Sequence, residues 1–564
     1  MLEVNTLNKR HKNKLGCTLV IYLEVQKMGV GMKKLLCIIL IFMIMLTSGC
    51  IEKKVKPSTS KKYLVYNLGE LPSDLLMTNN DNVREKDLLL ALFEGLVRED
   101  KKGEIVPAMA EKYEISKDKI GYTFKLRKNL HYSDGKPIKA TDFVRLFHDS
   151  LLDKTNIFAN QLYCIFGAKD FSMGKVGFDK VGIFAKDDLT LQIRLNTPND
   201  YFIKILSNPV FTLRENDINM KNWKDSYSEI QYSGPFIIKD INKEGEITLL
   251  KNEKYWGASS IVSNEMLFTS IKDEENALAD FETNGESDTS KIDVLVSPPI
   301  SEVSSLSREK KTEVKPTQSM YYMNFNLKNK DAVDINFRNA IGSIIDRDLI
   351  IETISEDVAV PTINYTPFTS SNGDSTKLIF NASRSKIKGL EYLHKSSTYK
   401  KGQDLVMVYE NQNFETTISK EIAKNIKEYL GVNVICTGFS KDELERVIAK
   451  GEYDIVFSEN DEDYGDIYNF FSKWTANSKY NVYGYKSSDY DKIVEKALME
   501  NNDKKKILIY NKAQQILSKD LPCIPVYIAN TVICKKENIK GIYTTKSGNL
   551  IFDYAYKDNT IATK

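Results

Sequence analysis

The chain has 564 residues, 42% of them hydrophobic and 10% aromatic, with a formal net charge of +2. That length exceeds what one hydrophobic core serves, so two or more lobes are expected, and the apolar content excludes a disordered chain. Residues 1–49 carry seven Lys/Arg against two acids. The remainder alternates acids and bases, which excludes the basic field that nucleic acid requires.

Met32-Lys33-Lys34 precedes an apolar run, Leu35 to Leu46, and then Thr47-Ser48-Gly49-Cys50. A positive start, a short apolar stretch and small residues before a Cys form an export signal, too short for a comfortable membrane span. The ending resembles a bacterial lipobox, with Thr47 where Leu is usual. That resemblance implies a thioether-linked diacylglycerol, and palmitate, on Cys50 as the first mature residue; an uncleaved short anchor is the alternative. Several acyl chains hold a protein stably where one does not. Residues 1–31 read as a spurious or disordered extension ahead of a true start at Met32, residues 32–49 as the lipoprotein signal peptide, and residues 50–61 as a tether.

Seven cysteines, Cys17, Cys37, Cys50, Cys164, Cys436, Cys523 and Cys534, show neither metal-ligand spacing nor an even framework. A bridge between Cys523 and Cys534, as neighbours on converging strands, stays open. His131, His148 and His394 are scattered and form no metal or triad pattern, and no glycine-rich phosphate loop is present.

The folded part begins with an alternating strand, Lys62 to Leu68. A helix around Asp87–Glu94 is closed by Gly95. Tyr122 to Arg127 alternates as a half-buried strand, and Ser133-Asp134-Gly135-Lys136-Pro137 supplies a turn in which Gly135 takes positive φ. Thr141 is placed as N-cap of a helix through Phe143, Phe147 and Leu151. Val181–Ala185 and Leu189–Leu195 form a hairpin. Ser233-Gly234-Pro235-Phe236 opens another strand, and Tyr255-Trp256 packs in the core at a sheet edge.

Residues 282–290 form a polar loop, and Tyr321 to Leu327 alternates as a strand that crosses between lobes. Phe337-Arg338-Asn339-Ala340-Ile341 with Ile345-Asp346-Arg347 reads as a helix buried on Ala340, Ile341, Ile344 and Ile345. Strands at Leu405–Tyr409, Val432–Cys436 and Tyr453–Phe457 alternate with helices around Ile418–Leu430 and Leu444–Ile448. This alternation gives an α/β lobe whose loops at the carboxyl strand ends face the other lobe. One such loop is Glu459 to Tyr468. A helix through Ile507, Tyr510, Ala513 and Leu517 leads to Asp520-Leu521-Pro522-Cys523-Ile524-Pro525, a closing strand.

Several of these strings together resemble the extracytoplasmic solute-binding proteins of the peptide/nickel ABC importers. Phe124-x-Leu126-Arg127 followed by Ser133-Asp134-Gly135-x-Pro137, Glu94-Gly95-Leu96, Gly234-Pro235, Tyr255-Trp256 and Arg338 with Asp346-Arg347 stand in the family's order. Departures are Tyr132 for Trp, Lys139 for Thr, Tyr232 for Gly, and a poorly kept opening at Glu70–Leu75. The resemblance implies an α/β, two-lobe, periplasmic-binding-protein-like clamshell with an enlarged first lobe. The lobes are expected at 62–318, with an inserted subdomain, and 319–527; residues 528–564 return to the first. Hinges are expected near 316–325 and 525–535.

The resemblance further implies an extracellular substrate-binding component of an ABC importer, not an enzyme, with neither cofactor nor metal. It would capture oligopeptides between its lobes and deliver them to permease subunits whose ATPase partners are cytoplasmic. It would work as a monomer, lipid-anchored on the outer face of the membrane. A binder of dipeptides or nickel chelates, or a peptide-sensing receptor, is the alternative. Asp463 matches the family Asp that pairs with a peptide's α-ammonium, with Tyr464 beside it, although the usual Trp is missing. Asn481 and Tyr483 hold this loop or touch peptide backbone, and Arg384 and Lys386 are weaker candidates to face the cleft. Ser133, Asp134, Gly135, Gly234, Pro235, Arg338, Asp346 and Arg347 are expected to be structural.

Overall fold

The computed structural model describes residues 63–78, 82–215, 218–283, 292–328, 333–355, 357–367, 385–411, 413–460, 466–500, 502–558 and 560. The leader, Cys50, the tether, Arg384, Asp463, Tyr464 and most of the 282–290 loop lie outside them. Among the described residues no helix is long and apolar enough to cross a membrane.

The first strands are β1 (Leu64–Asn67), β2 (Val97–Glu99), β3 (Ile105–Pro107), β4 (Ala110–Ile115), β5 (Gly121–Leu126), β6 (Ile183–Asp187) and β7 (Thr190–Arg194). Next come β8 (Phe236–Ile241), β9 (Ile247–Lys251), β10 (Glu265–Thr269), β11 (Val294–Val296), β12 (Thr312–Phe325) and β13 (Ala359–Pro361). The last of this set are β14 (Asp404–Glu410), β15 (Asn433–Phe439), β16 (Ile455–Asn460) and β17 (Cys523–Lys535).

One sheet runs β15-β14-β16-β12-β17-β11-β1-β10-β9-β8, with β13 added on β17. Its middle strands set the architecture. β12 has 14 residues and β17 has 13, each spanning roughly 45 Å at about 3.3 Å per residue. They pair antiparallel from Thr312–Cys534 to Asn324–Cys523, with a register break between Pro316 and Met320. On one side of the break β17 joins β11; on the other β12 joins β16. The two strands therefore belong to both lobes and carry the chain across.

The first lobe packs β1 and β8–β11 around Tyr66, Phe93, Trp223, Phe236 and Phe268, and Leu550, Phe552 and Ala555 from the C-terminal segment join that core. A second core within this lobe is built on the sheet β4-β5-β7-β6 and the helix Ala140–Leu152, through Phe124, Phe143, Phe147 and Leu191. In the second lobe β14 lies between parallel β15 and β16, a strand–helix–strand weave with helices Asn413–Leu430 and Lys441–Lys450. Side-chain alternation on β12 divides its interior: Tyr321, Met323 and Phe325 enter one core, Met320 and Tyr322 the opposite one beside Trp474 and Tyr490.

Three local expectations are corrected. The helix expected from an N-cap at Thr141 begins at Ala140; Lys139 is the N-cap, and the Asp142 carboxylate accepts its backbone N–H at 2.8 Å. The helix expected around 87–94 occupies Val83–Leu92, because Asn82 accepts from the amides of Arg84 and Glu85 and Phe93 is already extended. Cys523 and Cys534 are free thiols in the single strand β17. Eleven residues of extended chain separate them by roughly 35 Å, far beyond the Cα spacing a disulfide tolerates.

Candidate functional site

The signature residues build scaffold. Gly135 has φ +90°. Asp134 accepts from the Lys136 amide at 2.9 Å and from Gln231 at 2.9 Å, and Ser133 exchanges hydrogen bonds with the Tyr232 backbone at 2.9 and 3.1 Å. The turn thus docks on the segment entering Gly234-Pro235. Gly234 donates to the Leu92 carbonyl at 2.9 Å, and Asn252 donates to the Gly234 and Pro235 carbonyls at 2.9 and 2.8 Å. Arg338 donates to the carbonyls of Val333 and Asp520, Asp346 caps the helix Arg347–Glu352, and Arg347 reaches the Pro525 carbonyl at 2.9 Å.

The functional space lies elsewhere. A cleft of about 1110 Å³ opens between the lobes. Thr317, Gln318 and Ser319, at the register break of β12, line it together with Ala529 to Val532 of β17. The first lobe contributes Arg84, Glu85 and Lys86 from the start of a helix, Glu274, Ser297, Pro298 and Ser547 to Asn549. The second contributes Tyr321, Glu410, Phe414, Glu415, Lys441, Asp442 and Glu459. Glu410 ends near the carboxyl end of β14 and Glu459 near that of β16, where open α/β sheets place ligand sites.

The cleft is lined by more carboxylates than bases: Glu70, Glu85, Glu274, Glu410, Glu415, Asp442 and Glu459 against Arg84, Lys86, Lys224 and Lys441. Burial pushes the Glu415 carboxyl up to about 7, with the charges of Glu410 and Glu274 adding to the effect. Glu274 is raised by burial and by the neighbouring Glu275 and Asp273. Arg84 is paired with Asp87 at 3.1 Å and donates to the Gly548 carbonyl.

Beyond the cleft the lobes touch again. Lys204 meets Asp466 at 2.8 Å, Lys506 meets Asp200 at 3.0 Å, and the rings of Tyr201 and Tyr468 stack with centroids 4.8 Å apart.

Of the residues expected to meet a ligand, Asn481 makes three side-chain hydrogen bonds, all to Thr475 and Tyr485, and so closes its own loop. Tyr483 shares a hydrogen bond with Ser458 at 3.2 Å behind the cleft wall. Neither is part of the cleft lining, and the Lys386 ammonium sits over the Tyr429 ring instead. Asp463 and Tyr464 fall between Glu459, which lines the cleft, and Asp466, which ties the lobes. Sequence reading missed Glu415 and Tyr321 as cleft residues. The available signal was position: Glu415 stands in the first turn of a helix just after the carboxyl end of β14.

Two lobes joined by paired strands around a polar cleft define a protein that encloses a guest. The chain belongs to the bacterial extracellular solute-binding proteins, family 5, whose middle region matches residues 104–482. It is 26% identical over 477 residues to a dipeptide-binding protein, DppE, of Bacillus subtilis, covering 83% of this chain and 87% of that one. It is 27% identical over 489 residues to the oligopeptide-binding protein OppA of the same organism, covering 85% and 89%. The fold matches the structure of the Escherichia coli murein tripeptide binding protein MppA with a TM-score of 0.76, at 24% identity, over 88% of this chain and 99% of that one.

Proposed function

We propose that this chain is the substrate-binding component of an ABC importer, capturing oligopeptides between its lobes and delivering them chemically unchanged to a membrane permease powered by cytoplasmic ATPase subunits. The observation that carries this is the interlobe cleft. At about 1110 Å³ it exceeds the roughly 300–1,000 Å³ that small-ligand pockets occupy, room for an extended peptide rather than a compact chelate. The related proteins of Bacillus subtilis named for dipeptide and oligopeptide binding support the same ligand class.

The first lobe in this reading spans residues 62–318 and 528–564, and the second 319–527. Closure about β12 and β17 traps the guest, and the closed shape is what the permease recognises. Asp463 pairs with the peptide α-ammonium, with Tyr464 alongside. The protein acts as a monomer, tethered outside the membrane by acylated Cys50. Native mass spectrometry of the purified protein tests the capture: peptides of a narrow length range should co-purify, and retention of metal chelates without peptide would refute it. Cys50→Ala should abolish lipid labelling and leave folding intact; continued labelling would remove the anchor from the proposal.

A further inference from the structure

The helix Asn413–Leu430 starts three residues after β14 and delivers Glu415 to the cleft wall. The residue is only 6% exposed. One carboxylate oxygen, Oε1, accepts from the Tyr321 hydroxyl at 3.0 Å, while Oε2 is buried with no hydrogen-bond partner. A buried acceptor left unmet is costly, and a charged one more so. A residue of the cleft lining thus carries an unmet acceptor.

The surroundings say what donor fits. The charged groups acting most strongly on Glu415 are Glu410, at the end of β14, and Glu274, at the start of a helix in the opposite lobe. Tyr321 of β12 and Tyr527 of β17 are further titratable groups beside it, Glu459 acts on Tyr527 as well, and Lys441 and Asp442 line the same cleft. The acids among these neighbours repel a ligand carboxylate. A neutral amide would supply the missing hydrogen bond but not offset the acids; a cation does both. The wall beside Glu415 is aromatic: Phe414 meets Tyr321 edge-on at 5.9 Å, and Tyr321 stacks on Tyr527 at 4.5 Å. Aromatic rings of this kind hold guanidinium and ammonium groups.

We propose that Glu415, with Tyr321 and Phe414 beside it and Glu274 opposite, forms a subsite that selects peptides carrying a lysine or arginine side chain. The inference rests on the peptide-binding reading and deepens it by naming a specificity. Because acids of both lobes flank the subsite, a basic side chain also bridges the lobes and favours closure. Its arrival restores the ionised carboxylate, so a proton is released on binding near neutral pH. Affinity for basic peptides therefore rises with pH through about 7.

The test uses alanine tri- to pentapeptides with one lysine placed at each position, paired with norleucine counterparts, titrated calorimetrically into wild type and Glu415→Gln. In at least one register the lysine peptide should bind wild type about tenfold or more tightly than its norleucine partner at pH 8, and at pH 7 its binding heat should vary with the buffer's ionisation enthalpy, the mark of proton release. Glu415→Gln should erase most of that preference while binding norleucine peptides at least as well as wild type does, which also shows that the variant is folded. Equal binding of both series, or a lysine preference that survives Glu415→Gln, overturns the subsite while peptide capture stands. Failure of every peptide to bind wild type overturns both.

Discussion

The Tyr255 hydroxyl donates to Glu94 across 2.6 Å, joining two family segments that lie 161 positions apart. Arg98 completes the arrangement, reaching Glu94 at 3.2 Å and Asp553 at 2.7 Å. Burial raises both carboxyls, and the guanidinium between them opposes that rise. Arg98 is thus what makes two buried acids tolerable, and through Asp553 it binds the C-terminal segment to the first lobe. Arg98→Met should destabilise the protein by about 3–5 kcal/mol in urea denaturation at pH 7, because it strands both charges. The deficit should shrink as pH falls and the carboxylates protonate. A loss under about 1 kcal/mol would show that the network is not needed.

Gly234 is required for space rather than for backbone freedom. A Cβ there would stand 2.5 Å from the Phe93 nitrogen and 2.6 Å from the Leu92 carbonyl carbon, both backbone atoms that cannot swing aside. Gly234→Ala should lower stability by about 1–3 kcal/mol. Since the residue is not part of the cleft lining, peptide affinity measured on the folded protein should not change. A melting temperature equal to wild type would contradict the close approach.

These two sites explain what was legible in the sequence. Ser133 to Gly135, Gly234 and Glu94 occur in fixed strings because each makes a local turn or close backbone contact that few residues satisfy. The crossing strand was readable from Tyr321 onward, where apolar residues sink into two cores. Its first half was not, because Glu313 and Lys315 are surface residues, Glu313 pairing with both Lys315 and Lys535, and they show no apolar alternation. Glu415 was silent for a different reason. A Glu in the first turn of a polar helix reads as solvated, whereas here it is buried and bonded to Tyr321, 94 residues away, which no local pattern shows.

That burial makes Glu415 a source of pH-dependent stability in the ligand-free protein. Its carboxyl titrates at about 7 in the fold, against about 4.3 in an unfolded chain. A raised folded value means the native state holds the proton more tightly. The stability this group contributes is complete below about pH 4.3 and drains away as pH rises through 7. Comparing pH 5 with pH 8, the stability difference between Glu415→Gln and wild type should move in favour of the variant by about 2–3 kcal/mol. Chemical denaturation at both pH values measures it, and a difference independent of pH would mean that the carboxyl titrates normally.

The contacts between the lobes outside the cleft predict a kinetic effect. Lys204–Asp466 and Lys506–Asp200 are partly exposed pairs, worth about 0.2–1 kcal/mol each, flanking the Tyr201–Tyr468 stack. Replacing Asp200 and Asp466 together by Asn should speed peptide release about three- to tenfold while leaving association nearly unchanged. Asp466→Asn keeps an oxygen for the Tyr468 amide, so the helix cap survives. In stopped-flow displacement, raising salt should accelerate release from wild type more than from the double variant.

In the proposed reading, Asp463 recognises a peptide's amino end and Glu415 its basic side chains. In sequence the segment carrying Asp463 follows Glu459, which lines the cleft, and precedes Asp466, which pairs with Lys204 of the first lobe. Asp463→Ala should weaken a peptide with a free amino terminus by about tenfold or more, the scale of one lost charge-assisted hydrogen bond, and spare the N-acetylated peptide. Glu415→Gln should show the converse, responding to lysine against norleucine and not to acetylation. Calorimetric titration of both variants with the four peptide forms separates the two roles. Equal losses for free and acetylated peptides in Asp463→Ala would reduce that residue to a support of the loop and move terminal recognition to another acid of the cleft.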